Sequence, residues 1–280
     1  MIRIIEVGPR DGLQNDKAVI PTERKIAFVN ALSKSRVDEI EVSAFVSPKW
    51  VPQLADASLV FQQIERNPAI VYSALVPNEQ GLDRALEARV GKVSVFTAAS
   101  ETFNRKNINA SIAESIARFV PVVDRAKVAG LEVRGYISTS FWCPYEGKIA
   151  PDKVTEVVQM LLDLGVDELS IGDTIGKATI TEVDALLDLL LPLVPADRIA
   201  MHFHDTFGQA LDNVAAAWKR GITAFDASVG GLGGCPYAPG APGNVATEAV
   251  IARLLADGAQ VNVDRDALAI AWQLLRNPDI

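Results

Sequence analysis

The chain has 280 residues, 49% of them hydrophobic, and a formal net charge of −8. That size suits a single catalytic domain spanning residues 1–280, and the acidic balance argues against a nucleic-acid binder, which wants a basic surface. No apolar run approaches the roughly 18–20 residues of a membrane helix. The opening Met1-Ile2-Arg3-Ile4-Ile5 is strand-like rather than a secretory leader, so a cytoplasmic protein is expected, with Cys143 and Cys235 as reduced thiols.

Strands are expected at Arg3–Val7, Val37–Ser43, Ile70–Val76, Lys92–Thr97, Glu132–Ser138, Glu168–Gly172, Arg198–His202 and Ala224–Val229. Between them the spacing predicts helices over Thr22–Ser35, Glu79–Ala88, Ile112–Ala129, Asp152–Leu164, Ile180–Leu191 and Gln209–Arg220, then Val245–Ala256 and a short one around Asp266–Leu275. Gly130, Gly165 and Gly221 read as C-terminal caps, and Pro151 as a helix start. Strands read as apolar on both faces and alternating with helices imply a parallel sheet covered by helices. Eight such units closing on themselves make a (β/α)8 TIM barrel. An open doubly wound sheet is the competing architecture, but no G-x-G-x-x-G follows the first strand.

In such a barrel the active site lies at the carboxyl ends of the strands, and the polar residues without a folding reason fall there. The two histidines of the chain, His202 and His204, end the seventh strand, and residues i and i+2 of a strand share a face. Phe203 between them should point outward to the helices. The first strand runs into Gly8-Pro9-Arg10-Asp11-Gly12, the second contains Glu41, and the sixth ends in Asp173. The eighth is followed by a Gly/Pro-rich stretch from Gly230 to Asn244 that carries Cys235 and reads as a mobile lid. Each residue also has a structural reading. Asp11 can make a turn. Asp173 and Asp205 can cap helices. Glu41 can pair with Arg10, and Cys235 can be a small apolar filler.

Two imidazoles, the Asp11 carboxylate and the Asn244 amide oxygen form a mixed nitrogen–oxygen donor set. It suits Mg2+ or Mn2+, with Zn2+, Co2+ and Fe2+ also open. Such a site can bind a substrate hydroxyl and lower its pKa. Arg10 can hydrogen-bond a developing enolate oxygen, Cys235 can return a proton to carbon, and Glu41 can orient Arg10. That combination describes a retro-aldol or retro-Claisen reaction with no organic cofactor.

Six blocks carry a family resemblance: Glu6 to Asn15, Phe45 to Gln53, Cys143 to Gly147, Gly172 to Gly176, His202 to Thr206, and Gly231 to Asn244. Through them the chain resembles the 3-hydroxy-3-methylglutaryl-CoA lyases, within the metal-dependent TIM-barrel lyases and Claisen-condensing enzymes. The resemblance implies cleavage of an acyl-CoA substrate to acetyl-CoA and acetoacetate, in leucine breakdown or ketone-body formation, by a homodimer. It implies Asp11, His202, His204 and Asn244 as metal ligands, Arg10 on the thioester carbonyl, Cys235 as catalytic acid and Glu41 as a supporting carboxylate. Asp11 or His202 would take the hydroxyl proton. Lys49 and Lys106 stand as phosphate contacts by charge and position. The bulk of Phe141 and Trp142 suggests a reshaped acyl pocket, and hence a longer branched 3-hydroxyglutaryl-CoA as an alternative substrate. A condensing enzyme of the same superfamily and a non-catalytic metal-binding barrel compete with the lyase as functions for the same residues.

Overall fold

A computed structural model of the chain describes residues 1–14, 16, 18–234 and 243–276. Its elements, in order, are β1 (Arg3–Glu6), α1 (Thr22–Leu32), β2 (Glu39–Ala44), α2 (Ala57–Gln63), β3 (Val71–Leu75), α3 (Glu79–Glu87), β4 (Lys92–Ala98), α4 (Glu101–Ile108) and α5 (Ile112–Val128). There follow β5 (Glu132–Ser138), a two-stranded hairpin of β6 (Trp142–Cys143) and β7 (Gly147–Lys148), α6 (Pro151–Leu164), β8 (Glu168–Asp173) and α7 (Ile180–Leu190). The chain continues through β9 (Ile199–Phe203), α8 (Ala210–Lys219), β10 (Ala224–Ala227), α9 (Thr247–Ala256) and α10 (Arg265–Arg276). Eight strands close in the order β1-β10-β9-β8-β5-β4-β3-β2, and every adjacent pair is parallel. This is the (β/α)8 barrel expected from the alternation of strand and helix.

Local chemistry sets the element ends. Gly130, Gly165 and Gly221 take positive φ after their helices, where a side chain would be strained. Pro151 opens α6, and Ser111 with Glu114 forms a reciprocal capping box on α5. The short helices α2 and α4 lie outside the sequence expectation, because seven or eight residues give too little periodicity. The outer strand faces pack with the helices in one continuous core that includes Ile4, Ile40, Val93, Val133, Leu169, Met201 and Phe225.

The inner face departs from the expectation of strands apolar on both sides. Lys92 of β4 reaches Glu39 of β2 at 2.9 Å and Glu168 of β8 at 2.5 Å. Arg134 of β5 reaches Asp226 of β10 at 2.7 Å and Glu168 at 3.3 Å, and Arg3 also pairs with Glu168. Apart from Arg134 and Glu168, which face each other on the neighbouring strands β5 and β8, these partners lie on non-adjacent strands, so the pairs run through the barrel interior. Successive residues of a strand face opposite sides, which is how one strand can serve the apolar shell and a charged interior together. Each charge is costly to bury and is tolerated because it is paired; removing one partner typically costs about 3–5 kcal/mol.

Glu168 has an acid-sensitive consequence. Burial works against its charge, but Arg134, Lys92 and Arg3 hold its carboxyl down from 4.5 to about 2. A depressed carboxylate adds stability that is complete above its unfolded value and is lost as pH falls through its folded one. Stability should therefore fall by on the order of 3 kcal/mol between about pH 5 and about pH 2 from this group. Urea denaturation should show that acid loss in the wild type. In Glu168→Gln the baseline should be lower near neutral pH and the acid slope shallower.

Candidate metal centre and active site

After β1 the chain winds Gly8–Gly12 into a single wide turn in which the Val7 carbonyl accepts from the N–H groups of Arg10, Asp11 and Gly12. A Cβ on Gly8 would come within 2.6 Å of a Glu6 carboxylate oxygen, and one on Gly12 within 2.9 Å of Leu232, so the tightness of this turn requires glycine. The turn projects Arg10 and Asp11 over the barrel mouth. Glu6 secures it from beneath: its carboxylate accepts from the N–H of Gly8 (2.9 Å), the N–H of Val229 (3.0 Å) and the hydroxyl of Thr247 (2.7 Å). One buried side chain thus joins the loops after the first and last barrel strands to the start of α9.

Asp11, His202 and His204 each place a ligand atom within 4.8 Å of the other two. The imidazole centroids are 5.2 Å apart. Phe203 between them turns outward against Phe141, with ring centroids 6.4 Å apart, as strand alternation requires. Asn244 joins the group from the far end of the chain, pairing with His204 in an isolated bridge. Its Nδ2 donates to Asp11 Oδ2 at 2.9 Å and to the Leu232 carbonyl at 3.1 Å. Arg10 is held on both sides, with Nε 2.5 Å from Glu41 Oε2 and Nη1 bonded to Asp11 Oδ1. Its guanidinium lies over the Tyr136 ring at 5.4 Å.

The electrostatics follow from burial and these neighbours. Burial pushes the Asp11 carboxyl up, but Arg10, His202 and His204 together bring it down to about 2, so it is anionic. Burial also opposes the charge on Arg10, yet Glu41 and Asp11 hold its pKa above the ordinary value. Burial and the neighbouring His202 lower His204 to about 4, so it is a neutral imidazole. Burial pulls His202 down as well, but a hydrogen bond to Asp226 and the Asp226 and Asp11 charges outweigh it and raise the pKa.

The donor set fits a divalent cation. A carboxylate and two imidazoles converge, the Asn244 amide group lies against that carboxylate, and His204 Nδ1 is buried without a hydrogen-bond partner. A buried nitrogen left in that state is costly, and a cation shared with Asp11 would satisfy it. Arg10, Asp11, His202 and His204 line the inner part of a cavity of about 690 Å³. Val46, Leu75, Phe96 and Tyr136 add apolar and aromatic wall, and Lys106 and Arg118, both exposed, add positive charge.

Asp173, at the end of β8, is a loop clamp: its carboxylate accepts from the N–H groups of Lys177 (3.1 Å) and Ala178 (2.9 Å), and burial raises it to about 6. Asp205 accepts from the N–H of Ala210 at the start of α8, the capping role expected of it. Phe141 and Trp142 do not line the cavity. Phe141 packs into the outer core, and the Trp142 indole N–H donates to Glu182, so neither ring reshapes an acyl pocket as its bulk suggested. Lys106 lines the cavity and Lys49 does not. Cys235 lies outside the described residues, as does the stretch 235–242 of the expected lid. Cys143 is a buried free thiol that donates to Ser100. Sequence reasoning missed Asp226, Arg134 and Tyr136, although a charge inside an apolar strand, the signal that singled out Glu41, is equally present in Phe225-Asp226-Ala227.

A closed parallel barrel with an imidazole–carboxylate cluster on its carboxyl rim, facing a deep cavity, defines a (β/α)8 barrel of the enzyme type with a candidate cation site. The HMGL-like family pattern matches residues 1–275. The 3-hydroxy-3-isohexenylglutaryl-CoA/hydroxy-methylglutaryl-CoA lyase of Pseudomonas aeruginosa is 49% identical, over 97% of this chain and 91% of its own. The HMG-CoA lyase of Brucella melitensis has a solved structure that superposes with a TM-score of 0.96 at 48% identity, covering 98% of this chain and 96% of that one. The HMG-CoA lyase of Acinetobacter baumannii, solved with coenzyme A and 3-methylmalate, superposes with a TM-score of 0.93 at 37% identity, over all of this chain and 97% of that one. The chain belongs to the HMGL-like family.

Asp11→Asn tests the cluster directly. Mn2+ affinity by isothermal titration should drop by more than the roughly 10–100-fold that loss of a supporting hydrogen bond costs a metal site.

Proposed function

We propose that this protein is a carbon–carbon lyase that cleaves 3-hydroxy-3-methylglutaryl-CoA to acetyl-CoA and acetoacetate, with Mg2+ or Mn2+ held by Asp11, His202, His204 and Asn244. The observation that carries the reading is that Arg10 and the candidate cation cluster line one cavity, joined through Asp11. Asp11 and Asn244 hydrogen-bond across 233 residues of sequence, which supports reading residues 1–280 as one catalytic domain.

The bound cation would supply Lewis-acid polarisation of substrate oxygens. The 3-hydroxyl proton leaves to Asp11 as the C2–C3 bond breaks and C3 becomes the ketone of acetoacetate. The electron pair of that bond moves to C2 and is shared with the thioester oxygen as an enolate. Arg10 stabilises that oxygen. With Nε committed to Glu41 and Nη1 to Asp11, its plane is fixed and Nη2 remains for the substrate. A guanidinium already positioned loses little on reorganising during reaction. Buried Glu41 acts through Arg10 rather than on substrate. Cys235 then protonates C2 to give acetyl-CoA; it directly follows Gly233 and Gly234, both of which line the cavity. Exposed Lys106 and Arg118 on the cavity wall suit the phosphates of the CoA moiety.

Purified protein with Mn2+ and 3-hydroxy-3-methylglutaryl-CoA should release acetoacetate. A screen of analogues differing at C3 should rank the methyl compound first; a longer branched substituent ranking first would reassign the substrate within the same chemistry. Cys235→Ala should leave Mn2+ affinity intact and lower kcat by roughly 10²–10⁴, the usual contribution of a positioned acid. Lys106→Ala should raise KM with kcat little changed, the signature of binding shared by ground and transition states.

A further inference from the structure

We infer that Asp226, anchored by Arg134, is the positioning residue that decides which nitrogen of His202 is offered to the cation. This rests on the cation site proposed above. His202 Nδ1 lies 3.2 Å from Asp226 Oδ2. The same oxygen accepts from the Ser170 hydroxyl at 2.8 Å, and Oδ1 accepts from Arg134 Nη2 at 2.7 Å. Asp226 and Arg134 side chains are fully buried, and neither lines the cavity. Asp226 therefore touches no substrate; its influence passes through the imidazole.

A neutral imidazole carries one N–H and one lone pair, and the hydrogen bond made by one nitrogen fixes the role of the other. An ionised carboxylate only accepts. Asp226 therefore holds the proton of His202 on Nδ1 and leaves the lone pair on Nε2. Arg134 keeps the carboxylate charged and in plane, and the T-shaped contact between Tyr136 and the His202 ring, with centroids 6.5 Å apart, restricts rotation.

Asp226→Asn inverts the arrangement. Arg134 donates and so captures the amide oxygen, which turns the NH2 group toward His202. Nδ1 must then accept, and the proton moves to Nε2, where the cation would bind.

The test uses the full chain labelled with 15N-histidine, stripped of metal and then reloaded with Mg2+, at about pH 9, well above the ordinary histidine range. Since the chain has two histidines, the long-range 15N–1H spectrum contains two ring systems. In the wild type one ring system should be the Nδ1–H tautomer of His202, identified as the one that changes in Asp226→Asn. That variant should convert it to Nε2–H and weaken Mn2+ binding by roughly 10–100-fold, with KM for the acyl-CoA unchanged at saturating Mn2+. Asp226→Glu should restore the Nδ1–H tautomer in part. A wild-type spectrum with two Nε2–H rings overturns the inference whether or not the variant folds, as does an Asp226→Asn protein with unaltered Mn2+ affinity. A wild type that shows the expected Nδ1–H tautomer yet binds no Mn2+ refutes the cation site itself, and the inference falls with it.

Discussion

The ion pair between Arg134 and Asp226 crosses the barrel from β5 to β10, and neither side chain reaches water. Barrels of this architecture usually fill that position with branched apolar residues. Here one guanidinium links two levels. Its Nε faces Glu168, which also gathers Lys92 and Arg3, and its Nη2 faces Asp226, which gathers Ser170 and His202. The interior is thus a ladder of alternating charge whose top rung is an imidazole of the candidate metal centre. Each charge is acceptable because the next one satisfies it. The same ladder makes the rim geometry depend on residues buried well below the cavity.

Above the ladder, the rim is closed by backbone economy rather than by bulk. Gly8 and Gly12 allow the first loop to fold tightly, and Gly233 lies so close to Asn244 that a Cβ would come within 2.9 Å of its amide nitrogen. Glu6 fastens the loops after β1 and β10 to α9 with three hydrogen bonds. Asp11 and Asn244, from opposite ends of the chain, can therefore meet at hydrogen-bond distance. The guanidinium of Arg10, braced by Glu41 and Asp11 and laid over Tyr136, is as firmly placed as the ligands beside it. Chemistry that stabilises a short-lived enolate benefits from donors fixed beforehand.

Much of the barrel was legible because its outer layer obeys simple rules. Strands with an apolar outward face alternate with amphipathic helices ended by Gly130, Gly165 and Gly221. The inner face was misread, since the charged partners of Glu39, Lys92, Arg134, Glu168 and Asp226 lie on other strands, far away in the sequence. The site was legible where residues adjacent in sequence stay adjacent in space, as with Arg10-Asp11 and His202-x-His204. It was illegible where the partner is remote. Asp226 lies 24 residues from His202 and 92 from Arg134, and no periodicity reports such a pairing.

The sequence by itself determined the alternation that closes into a barrel, the strand-end histidine pair with one shared face, and the placement of Asp11, Glu41 and Asn244 on segments that such a barrel brings to one rim. These follow from strand and helix periods and from turn chemistry, which act over a few residues. Only the tertiary structure decided that Asp173 clamps a loop instead of joining the cluster, that Phe141 and Trp142 face away from the cavity, and that Arg134 and Asp226 stand under His202. Those outcomes depend on which strands become neighbours across the interior, where the cost of burying a charge is settled by a partner that arrives from elsewhere in the chain.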